Sequence, residues 1–531
     1  CESVRVGDMS PLEGRALLLR HLQLDEELAP VGIKDDCDKV VKKLEFLALA
    51  VDIAGAYIGS DSPSDKALQG YLANYERHRD ELLQMDFFRG LLASEKTVWT
   101  VWDTTLEKIT KENNGLRPDI LLTFLAHFKG GIIQDEMFRL ASLGMKEVKA
   151  NLGEEASEGM PFELQQFLTL VGDKWDDFRY QQGCRVLLRY SLLQRVDGGW
   201  AGVTMHGLVR WRAMLSHQSW PLQRWYMVFV LAACCRNIEE EQPEFRRHLV
   251  GHLPEIHEDD GQGQENLLRY PSFIGATLGR IYYDEGRWEE AEKLNVQVME
   301  TFKTKLGDDH PDTLKSMANL ASTYRNQGRW EEAEKLEVQV METRKTKLGV
   351  NHPDTLTSMG NLASTYRNQG RWEEAEKLDV QVMETSKTKL GDDHPYTLKS
   401  MANLASTYRN QGRWEEAEKL EVQVMETSKT KLGVDHPDTL TSMANLASTY
   451  RNQGRWEEAE KLEVQVMETS KTNLGANHPD TLSSMANLAF TWKSQGRHAD
   501  ALALMENCAQ ARQRVLGDEH PHTLSSLALV A

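Results

Sequence analysis

Residues Asn319–Glu334 read N-L-A-S-T-Y-R-N-Q-G-R-W-E-E-A-E, and this stretch recurs along the second half of a chain of 531 residues. Its glycine returns every 42 residues, at Gly286, Gly328, Gly370, Gly412 and Gly454, and Gly496 continues the series with less similar neighbours. A fixed period of roughly 20–50 residues indicates stacked units that cannot bury their apolar faces alone. The repeat therefore predicts a solenoid.

Each unit has the pattern of two helices joined by a tight turn. From Pro311 to Asn326, a proline that needs no N–H at a helix start is followed by apolar residues at helical spacing. Gly328 stands where a helix stop favours a positive φ, and the apolar 3.6-residue period resumes at Trp330. Glutamates begin this second helix and lysines end it, as suits the helix dipole. The pattern predicts an all-α fold.

The repeat resembles the 42-residue tetratricopeptide repeat of kinesin light chains through the motif N-L-A-x-x-Y-x-x-Q-G-x-x-E-E-A-E. The resemblance covers about half of the chain and implies a right-handed α-solenoid that holds another protein or peptide. Where the family usually has an aromatic residue after Leu336, the copies of this chain carry Asn295, Glu337, Asp379, Glu421 and Glu463. We expect the second helix to pack more thinly there.

The candidate peptide-binding groove lies on the first helices. At about 100° per residue, the residues opposite Met317 fall on the side that, by the resemblance, is the concave, ligand-facing wall. Its most variable position holds Lys315, Thr357, Lys399, Thr441 and Ser483. Columns of serine, arginine and asparagine run beside it, namely Ser322, Ser364, Ser406, Ser448, Arg325, Arg367, Arg409, Arg451, Asn326, Asn368, Asn410 and Asn452.

The charge pattern of the repeat suggests the chemistry of a ligand. The acidic residues concentrate on the second helix, so we expect the wall of first helices to be more basic than the convex back. An acidic or carboxylate-bearing peptide would suit such a wall. The alternative is a solvated polar face that duplication has copied, because exposed polar residues need no ligand.

Histidines recur once per repeat, at His310, His352, His394, His436, His478 and His520. Successive repeats are separated by packed helices at about 8–10 Å, far beyond the roughly 2 Å reach of zinc ligands. We therefore predict no metal site. Each histidine instead marks the end of one helix, directly before the proline that begins the next.

The first half of the chain lacks the repeat but contains the nearly apolar segment L-E-F-L-A-L-A-V-D-I-A-G-A-Y-I, Leu44–Ile58. A segment of about 15 such residues is too short to span a bilayer and is typical of a helix buried in a bundle. It also resembles the G-F-L-P-L-A-L-D-Q-A-G-A-Y-I segment of NB-ARC nucleotide-switch ATPases of the STAND class, particularly fungal NOD-like receptors. Glu45 and Ala48 replace the glycine and the proline of that family.

A second segment, V-T-M-H-G-L-V-R-W at Val203–Trp211, resembles the Met-His-Asp motif of the same family. The resemblance implies that Met205 and His206 sense nucleotide state, with His206 facing the β-phosphate of ADP. A lone histidine can equally be a capping or core residue. Asp197-Gly198-Gly199, just before this motif, predicts a short hairpin of the kind found in the winged-helix domain of that family.

These landmarks divide the chain into four predicted regions. Residues 1–95 form an ARC-like helical domain, the C-terminal part of an NB-ARC module, and residues 96–215 form a winged-helix-like domain. Residues 216–264 are a helical connector, and residues 265–531 are the repeat array with an incomplete last repeat. The first residue is not methionine and the last residues stop inside a helical pattern, so we expect a fragment of a longer protein.

Composition limits the possible functions. A net charge of −19 without a run of lysine or arginine makes nucleic acid an improbable partner, and no stretch is apolar enough to span a membrane. Six scattered cysteines favour a reducing, cytoplasmic location. The sequence contains no G-x-x-x-x-G-K-[ST] phosphate loop and no hydrolase motif, so we predict no enzymatic activity and no cofactor in this chain. ADP or ATP would belong to a longer protein.

Two functions are compatible with these patterns. In the first, the array is the sensor of a nucleotide-regulated STAND receptor that acts in non-self recognition, binds a protein or peptide and forms a homo-oligomer on activation. In the second, the chain is a constitutive adaptor like kinesin light chain, without a nucleotide switch. An N-terminal heptad coiled coil would favour the adaptor, and we find none in the sequence.

Overall fold

The computed structural model describes residues 9–44, 46–59, 65–82, 93–112, 115–128, 131–152, 162–198, 201–215, 227–228, 230–234, 243–253 and 272–530. The chain divides into two compact units, residues 1–238 with 251–253, and residues 239–250 with 254–531. Both units are mainly helical, and the second is built from tandem helix pairs. The predicted all-α fold with a solenoid of repeats is therefore confirmed.

The first unit begins with a helical bundle. Its helices are α1 (Pro11–His21), α2 (Val31–Lys43), α3 (Ala48–Gly59), α4 (Asp65–Leu82) and α5 (Ala93–Glu112). Helix α3 carries the apolar segment noted in the sequence, and its residues from Ala50 to Ile58 are buried except for Asp52. A side chain at Gly55 would come within 2.6 Å of the His21 ring, so α1 and α3 pack closely. The prediction of a buried bundle helix is confirmed, while Glu45 lies outside the described residues.

The rest of the first unit combines short strands with helices. In chain order it contains α6 (Pro118–Ala126), β1 (Ile133–Gln134), α7 (Asp135–Leu152), α8 (Phe162–Gln165), a 3-10 turn (Gln166–Leu168), β2 (Leu170–Val171), β3 (Lys174–Trp175), α9 (Phe178–Arg189), β4 (Gln194–Val196), β5 (Gly202–Thr204) and α10 (Gly207–Leu215). An antiparallel sheet has the order β1-β5-β4, and β2 pairs with β3. Val203 faces Ile133 on one side and Arg195 on the other. The predicted hairpin is thus formed by β4 and β5.

Helix α11 (Pro243–His252) precedes the array. The array itself consists of α12 (Ser272–Asp284), α13 (Trp288–Leu306), α14 (Pro311–Asn326), α15 (Trp330–Leu348), α16 (Pro353–Asn368), α17 (Trp372–Leu390), α18 (Pro395–Asn410), α19 (Trp414–Leu432), α20 (Pro437–Asn452), α21 (Trp456–Asn473), α22 (Pro479–Ser494), α23 (His498–Leu516) and α24 (Pro521–Val530). Each helix packs against the next along the chain. The even-numbered helices are the first helices of the repeats and the odd-numbered ones are the second helices.

Local chemistry sets the helix ends of each repeat. His310 is the N-cap of α14, and its Nδ1 accepts the backbone N–H of Asp312 at 3.2 Å. The proline after it occupies the first helical turn, where no N–H is needed. Gly328 then has a φ of 78°, a conformation that L side chains rarely adopt. Both helix boundaries predicted around this turn, Asn326 and Trp330, are confirmed.

The core of each repeat lies between its two helices. In the repeat that begins at α14, Leu314, Met317, Leu320 and Ala321 are buried, and Val340 of α15 packs against the first two. The same positions are buried in the following copies, with clusters around Met359, Met401 and Met443. The predicted apolar stripe is therefore the stripe that the fold buries, and the opposite side of the first helices stays available.

Candidate peptide-binding surface

The first helices of the array form its inner layer. Along the stack α16 contacts α18, α18 contacts α20 and α20 contacts α22, in addition to their contacts with second helices. In a curved solenoid the layer whose members approach one another is the concave one. Side chains of the first helices that face away from the second helices therefore line the concave wall.

The variable position predicted from the sequence is exposed in every copy, at Lys315, Thr357, Lys399, Thr441 and Ser483. The asparagine column is exposed as well, at Asn326, Asn368, Asn410 and Asn452. The serine column, Ser322, Ser364, Ser406 and Ser448, is half-buried. Two of these three sets are therefore exposed on the first helices, and the binding role of all three stays a prediction.

One further residue belongs to this wall. Tyr396 is half-buried, and its hydroxyl lies 3.4 Å from the hydroxyl of Thr357 in the preceding repeat. Burial raises the pKa of Tyr396 above its usual value, which already lies well above neutral pH. The signal in the sequence was a tyrosine after His-Pro where four other copies have aspartate, at Asp312, Asp354, Asp438 and Asp480.

The arginine column is engaged inside the array rather than displayed on the wall. The Nη1 atom of Arg325 lies 3.2 Å from Oε1 of Glu337, and that of Arg367 lies 2.8 Å from Oδ2 of Asp379. The same contact measures 3.1 Å in the next two copies, which pair Arg409 with Glu421 and Arg451 with Glu463. We call these four residues the core arginines, because the acids they contact are only 1–2% exposed.

The buried acids also bind the following repeat. The hydroxyl of Thr365 donates to Oε2 of Glu337 at 2.6 Å, and that of Thr407 donates to Oδ2 of Asp379 at 2.7 Å. Burial raises the pKa of all four acids, although their arginine and threonine neighbours act in the opposite direction. Burial likewise lowers the pKa of Arg367 and of Arg451. A line of desolvated charges thus connects successive repeats.

The expectation of thin packing after Leu336 is wrong. Glu337 and its counterparts are buried as completely as the apolar core, because an arginine of the first helix and a threonine of the next repeat occupy the space around them. The pairing also changes the electrostatics of the wall. Since each core arginine is matched by an acid of the same repeat, the exposed positive charge at the variable position comes from Lys315 and Lys399.

A second set of arginines lies at the turn between the two helices of each repeat. These surface arginines are Arg329, Arg371, Arg413, Arg455 and Arg497, and each stacks on an aromatic ring of its own first helix at 4.0–4.5 Å. Nη1 of Arg371 lies 2.8 Å from Glu334 of the preceding repeat, and its other nitrogens bind Glu374. These hydrogen bonds raise the pKa of Arg371. The surface arginines therefore join neighbouring repeats from outside.

The repeated histidines serve as helix caps. In α16, α18, α20 and α22 the Nδ1 atom of the histidine accepts a backbone N–H at 3.1–3.2 Å, as in α14. Within the described part of the chain, no group of three or more potential metal ligands is brought together. The predicted position of these histidines, between one helix and the proline of the next, is confirmed.

The predicted nucleotide-sensing pair lies at the junction of β5 and α10 in the first unit. Met205 is buried and His206 is exposed. The carbonyl oxygen of His206 accepts the backbone N–H of Arg210 at 2.9 Å, so His206 directly precedes the first turn of α10. The N-terminal end of a helix favours anions. The exposed imidazole lies at this helix end, and its nucleotide-sensing role stays a prediction.

Comparison with known proteins agrees with this architecture. Family models described as tetratricopeptide repeat match residues 274–346, 321–387 and 354–430, and a second such model matches residues 439–480 and 481–522. The repeats are tetratricopeptide repeats. Their helix pairs, which turn at Gly328 and its equivalents, therefore belong to a family of interaction scaffolds, as the resemblance implied.

A curated relative is similar to about half of this chain. A protein of Hyaloscypha variabilis described as nucleotide-binding leucine-rich repeat (NLR)-like is 33% identical over 302 residues, which are 54% of this chain and 26% of that protein. This finding confirms the predicted resemblance to NOD-like receptors. The chain spans about a quarter of the length of this relative.

Two solved structures are also similar. Nearly identical tetratricopeptide-like repeats of a Podospora anserina protein named as a kinesin light chain are 32% identical, cover 39% of this chain and 97% of their own, and have a TM-score of 0.34. A STAND protein with a tetratricopeptide repeat sensor from Pyrococcus horikoshii is 13% identical, covers 98% of this chain and 68% of its own, and has a TM-score of 0.38.

Proposed function

We propose that this chain is the sensor and relay part of a nucleotide-regulated STAND receptor, whose tetratricopeptide array binds a protein or peptide on its concave wall. The observation that carries the proposal is the combination of the array with a curated relative described as NLR-like. Solenoids of this kind offer extended concave surfaces to partners. The receptor would act in signal transduction for non-self recognition.

The exposed residues of the concave wall suggest the chemical character of the ligand. Lys315 and Lys399 supply positive charge, and the asparagine column supplies amide groups that can both donate and accept hydrogen bonds. Tyr396 adds a phenol beside Thr357. We therefore propose an acidic or carboxylate-bearing peptide that is recognised mainly by the two lysines, with the core arginines supporting the wall from behind.

The first unit would relay ligand binding to a nucleotide. His206 and the N-terminal end of α10 fit the phosphate end of ADP, because the imidazole is exposed and the helix end favours an anion. The apolar residues of helix α3 are buried within the bundle, so we do not assign them a contact with an adenine ring. The hairpin of β4 and β5 leads directly to His206 and supports a winged-helix-like domain in which the relay lies.

The same proposal includes the cellular location and the oligomeric state of the protein. Cys37, Cys184 and Cys508 are buried and free, which agrees with a reducing cytoplasm. Burial raises the pKa of Cys37 and of Cys184 to about 12, so both thiols are unreactive. Among the described residues, no helix has the length and apolar character to cross a membrane. We propose homo-oligomer formation only as a consequence of activation.

The first experiment tests the nucleotide. The longer protein that contains this chain would be purified and its bound nucleotide released and quantified, with His206→Ala compared against His498→Ala, an exposed histidine of the array. We expect ADP to remain with the wild type and with His498→Ala and to be lost from His206→Ala. If no nucleotide accompanies the wild type, the switch fails and the chain is an adaptor of the kinesin-light-chain type.

A second experiment tests the wall. The variant Lys315→Ala/Lys399→Ala should weaken binding of an aspartate-rich peptide about tenfold, because two exposed cations are removed. The control Lys335→Ala/Lys377→Ala removes two exposed lysines from second helices and should leave the affinity unchanged. Equal losses in both variants would show a nonspecific effect of net charge and would reject the wall as the binding site.

A further inference from the structure

A column of exposed tryptophans runs along the array at the start of the second helices. Trp330, Trp372, Trp414 and Trp456 each begin a second helix, and each is 39–41% exposed. The glutamate that follows each of them, Glu331, Glu373, Glu415 and Glu457, is exposed as well. We call these eight residues the tryptophan edge. Four large indoles in register are a considerable apolar surface for a folded protein to leave in water.

Depressions lie between neighbouring repeats along this edge. One, with a volume of about 1160 Å³, is lined by Trp330, Glu331 and Lys335 of one repeat and by Gln369 and Arg371 of the next, among others. A second, of about 540 Å³, recurs one repeat further on, between Trp372 and Arg413. The tryptophan edge is therefore not a flat surface but a series of shallow cavities, each bordered by an indole.

Each repeat contributes a small excess of negative charge to this edge. Arg371 is held between Glu334 and Glu374, so its single positive charge meets two carboxylates. The charged residues that one repeat contributes to this edge are three acids and two bases, namely Glu331, Glu332, Glu334, Arg329 and Lys335. They leave one excess negative charge for each repeat unit of the edge. This balance favours a cationic occupant.

We propose that the tryptophan edge binds an extended, arginine- or lysine-rich segment of a partner protein. Each indole would stack on one cationic side chain, and the adjacent glutamate would pair with its charge. The indoles recur once per repeat along the edge, so an extended segment that carries several cations can contact more than one of them. A second copy of this chain is a poor occupant because its net charge is −19.

This edge is separate from the concave wall and would act independently of it. The wall lies on the first helices and offers lysines, whereas the edge lies at the start of the second helices and offers indoles and carboxylates. One array could therefore hold an acidic peptide on one surface and a basic segment on another. The inference does not require the proposed nucleotide switch.

The test measures binding of a labelled peptide of repeated Arg-Ser-Ser triplets to the full chain, by fluorescence anisotropy. A peptide of repeated Glu-Ser-Ser triplets is its counterpart. We expect binding of the arginine peptide only, weakening as salt is added. The variant Trp330→Leu/Trp372→Leu/Trp414→Leu should weaken it at least about tenfold. Glu331→Gln/Glu373→Gln/Glu415→Gln, which preserves side-chain size, should weaken it several-fold and should reduce the salt dependence.

The array provides a matched control at the far end of the same helices. Leu348, Leu390 and Leu432 are 41–46% exposed, and their joint replacement by glutamine should leave peptide affinity unchanged. If the tryptophan variant fails to fold by circular dichroism, the glutamine variant at the three glutamates decides the question. Binding unaffected by both edge variants, or equal binding of the two peptides, would overturn the proposal. Self-association that is lost in the tryptophan variant would also overturn it, in favour of a second copy of the chain.

Discussion

The core arginines and the surface arginines differ by only four positions in each repeat, yet they hold the array together in different ways. Arg367 reaches inward to Asp379, which is 1% exposed, and to the hydroxyl of Thr407 in the next repeat. Arg371 reaches backward to Glu334, and its side chain is 37% exposed. Both arginines link neighbouring repeats, but only the ion pair of Arg367 is buried.

The difference in burial decides how much each link can matter. A desolvated charge that loses its partner cannot recover the lost interaction from solvent, whereas an exposed charge can. The core pairs should therefore be fragile to single substitutions and the surface pairs tolerant of them. Near-identical repeats make this comparison unusually direct, because both kinds of arginine occur in the same unit with similar neighbours.

The largest effect is expected for Arg367→Met. The substitution keeps the apolar stem but leaves Asp379 buried beside only the Thr407 hydroxyl. Breaking a buried pair from one side typically costs about 3–5 kcal/mol in the free energy of unfolding. Urea titration followed by circular dichroism measures the loss, and hydrogen exchange shows whether it is confined to neighbouring repeats, as a one-dimensional array predicts.

The control for this prediction removes both charges. In Arg367→Met/Asp379→Leu no unpaired charge remains, and replacing a whole buried pair by apolar residues is often close to neutral. We expect the double variant to recover most of the stability that the single variant loses. A double variant as unstable as Arg367→Met would show that packing, and not the charge of Asp379, is what the arginine supports.

A smaller effect is expected for Arg371→Met. The variant loses two exposed ion pairs and the stacking on Tyr366 at 4.2 Å, which together contribute about 1 kcal/mol. High salt should shrink the difference between wild type and variant, because exposed pairs are screened. A loss that equals that of Arg367→Met and does not respond to salt would remove the distinction between the two sets of arginines.

The helix boundaries could be predicted from the sequence because they depend on local chemistry. Pro311, Gly328 and Trp330 act through their own backbone conformation or that of the adjacent turn, and the structure places the helix ends where these residues require. The hairpin of β4 and β5 was predictable for the same reason. The boundaries of the four predicted regions depend on long-range packing, so they stay predictions.

The core pairs were missed because Arg325 and Glu337 lie on different helices, and the sequence was interpreted one position at a time. Comparison between copies would have revealed them. Four copies combine an arginine with an acid twelve positions later, whereas the first copy has Tyr283 with Asn295 and the last has Lys493 with Met505. The acid is present only where the arginine is present. Such joint variation within one chain indicates contact, and it corrects the expectation of a basic arginine wall.

The smallest expected effect is the change in stability that acidification causes through the four buried acids. The pKa of each buried acid is raised by burial, so between the unfolded and the folded pKa the folded state binds more protons. The four acids therefore oppose folding at neutral pH, and this effect weakens as the pH falls below their folded pKa and vanishes below their unfolded pKa. The variant Glu337→Gln/Asp379→Asn/Glu421→Gln/Glu463→Gln keeps their shape and removes this dependence.

The measurable quantity is the difference in melting temperature between wild type and this variant. It should move in favour of the wild type as the pH is lowered from neutral towards the unfolded pKa of these acids, about 4. Acids whose pKa is lowered, such as Glu334 and Glu376, respond in the opposite sense but are present in both proteins and cancel. A difference that stays constant would mean that the core arginines compensate the buried charge fully. The core pairs would then resemble the surface pairs in energy despite their burial.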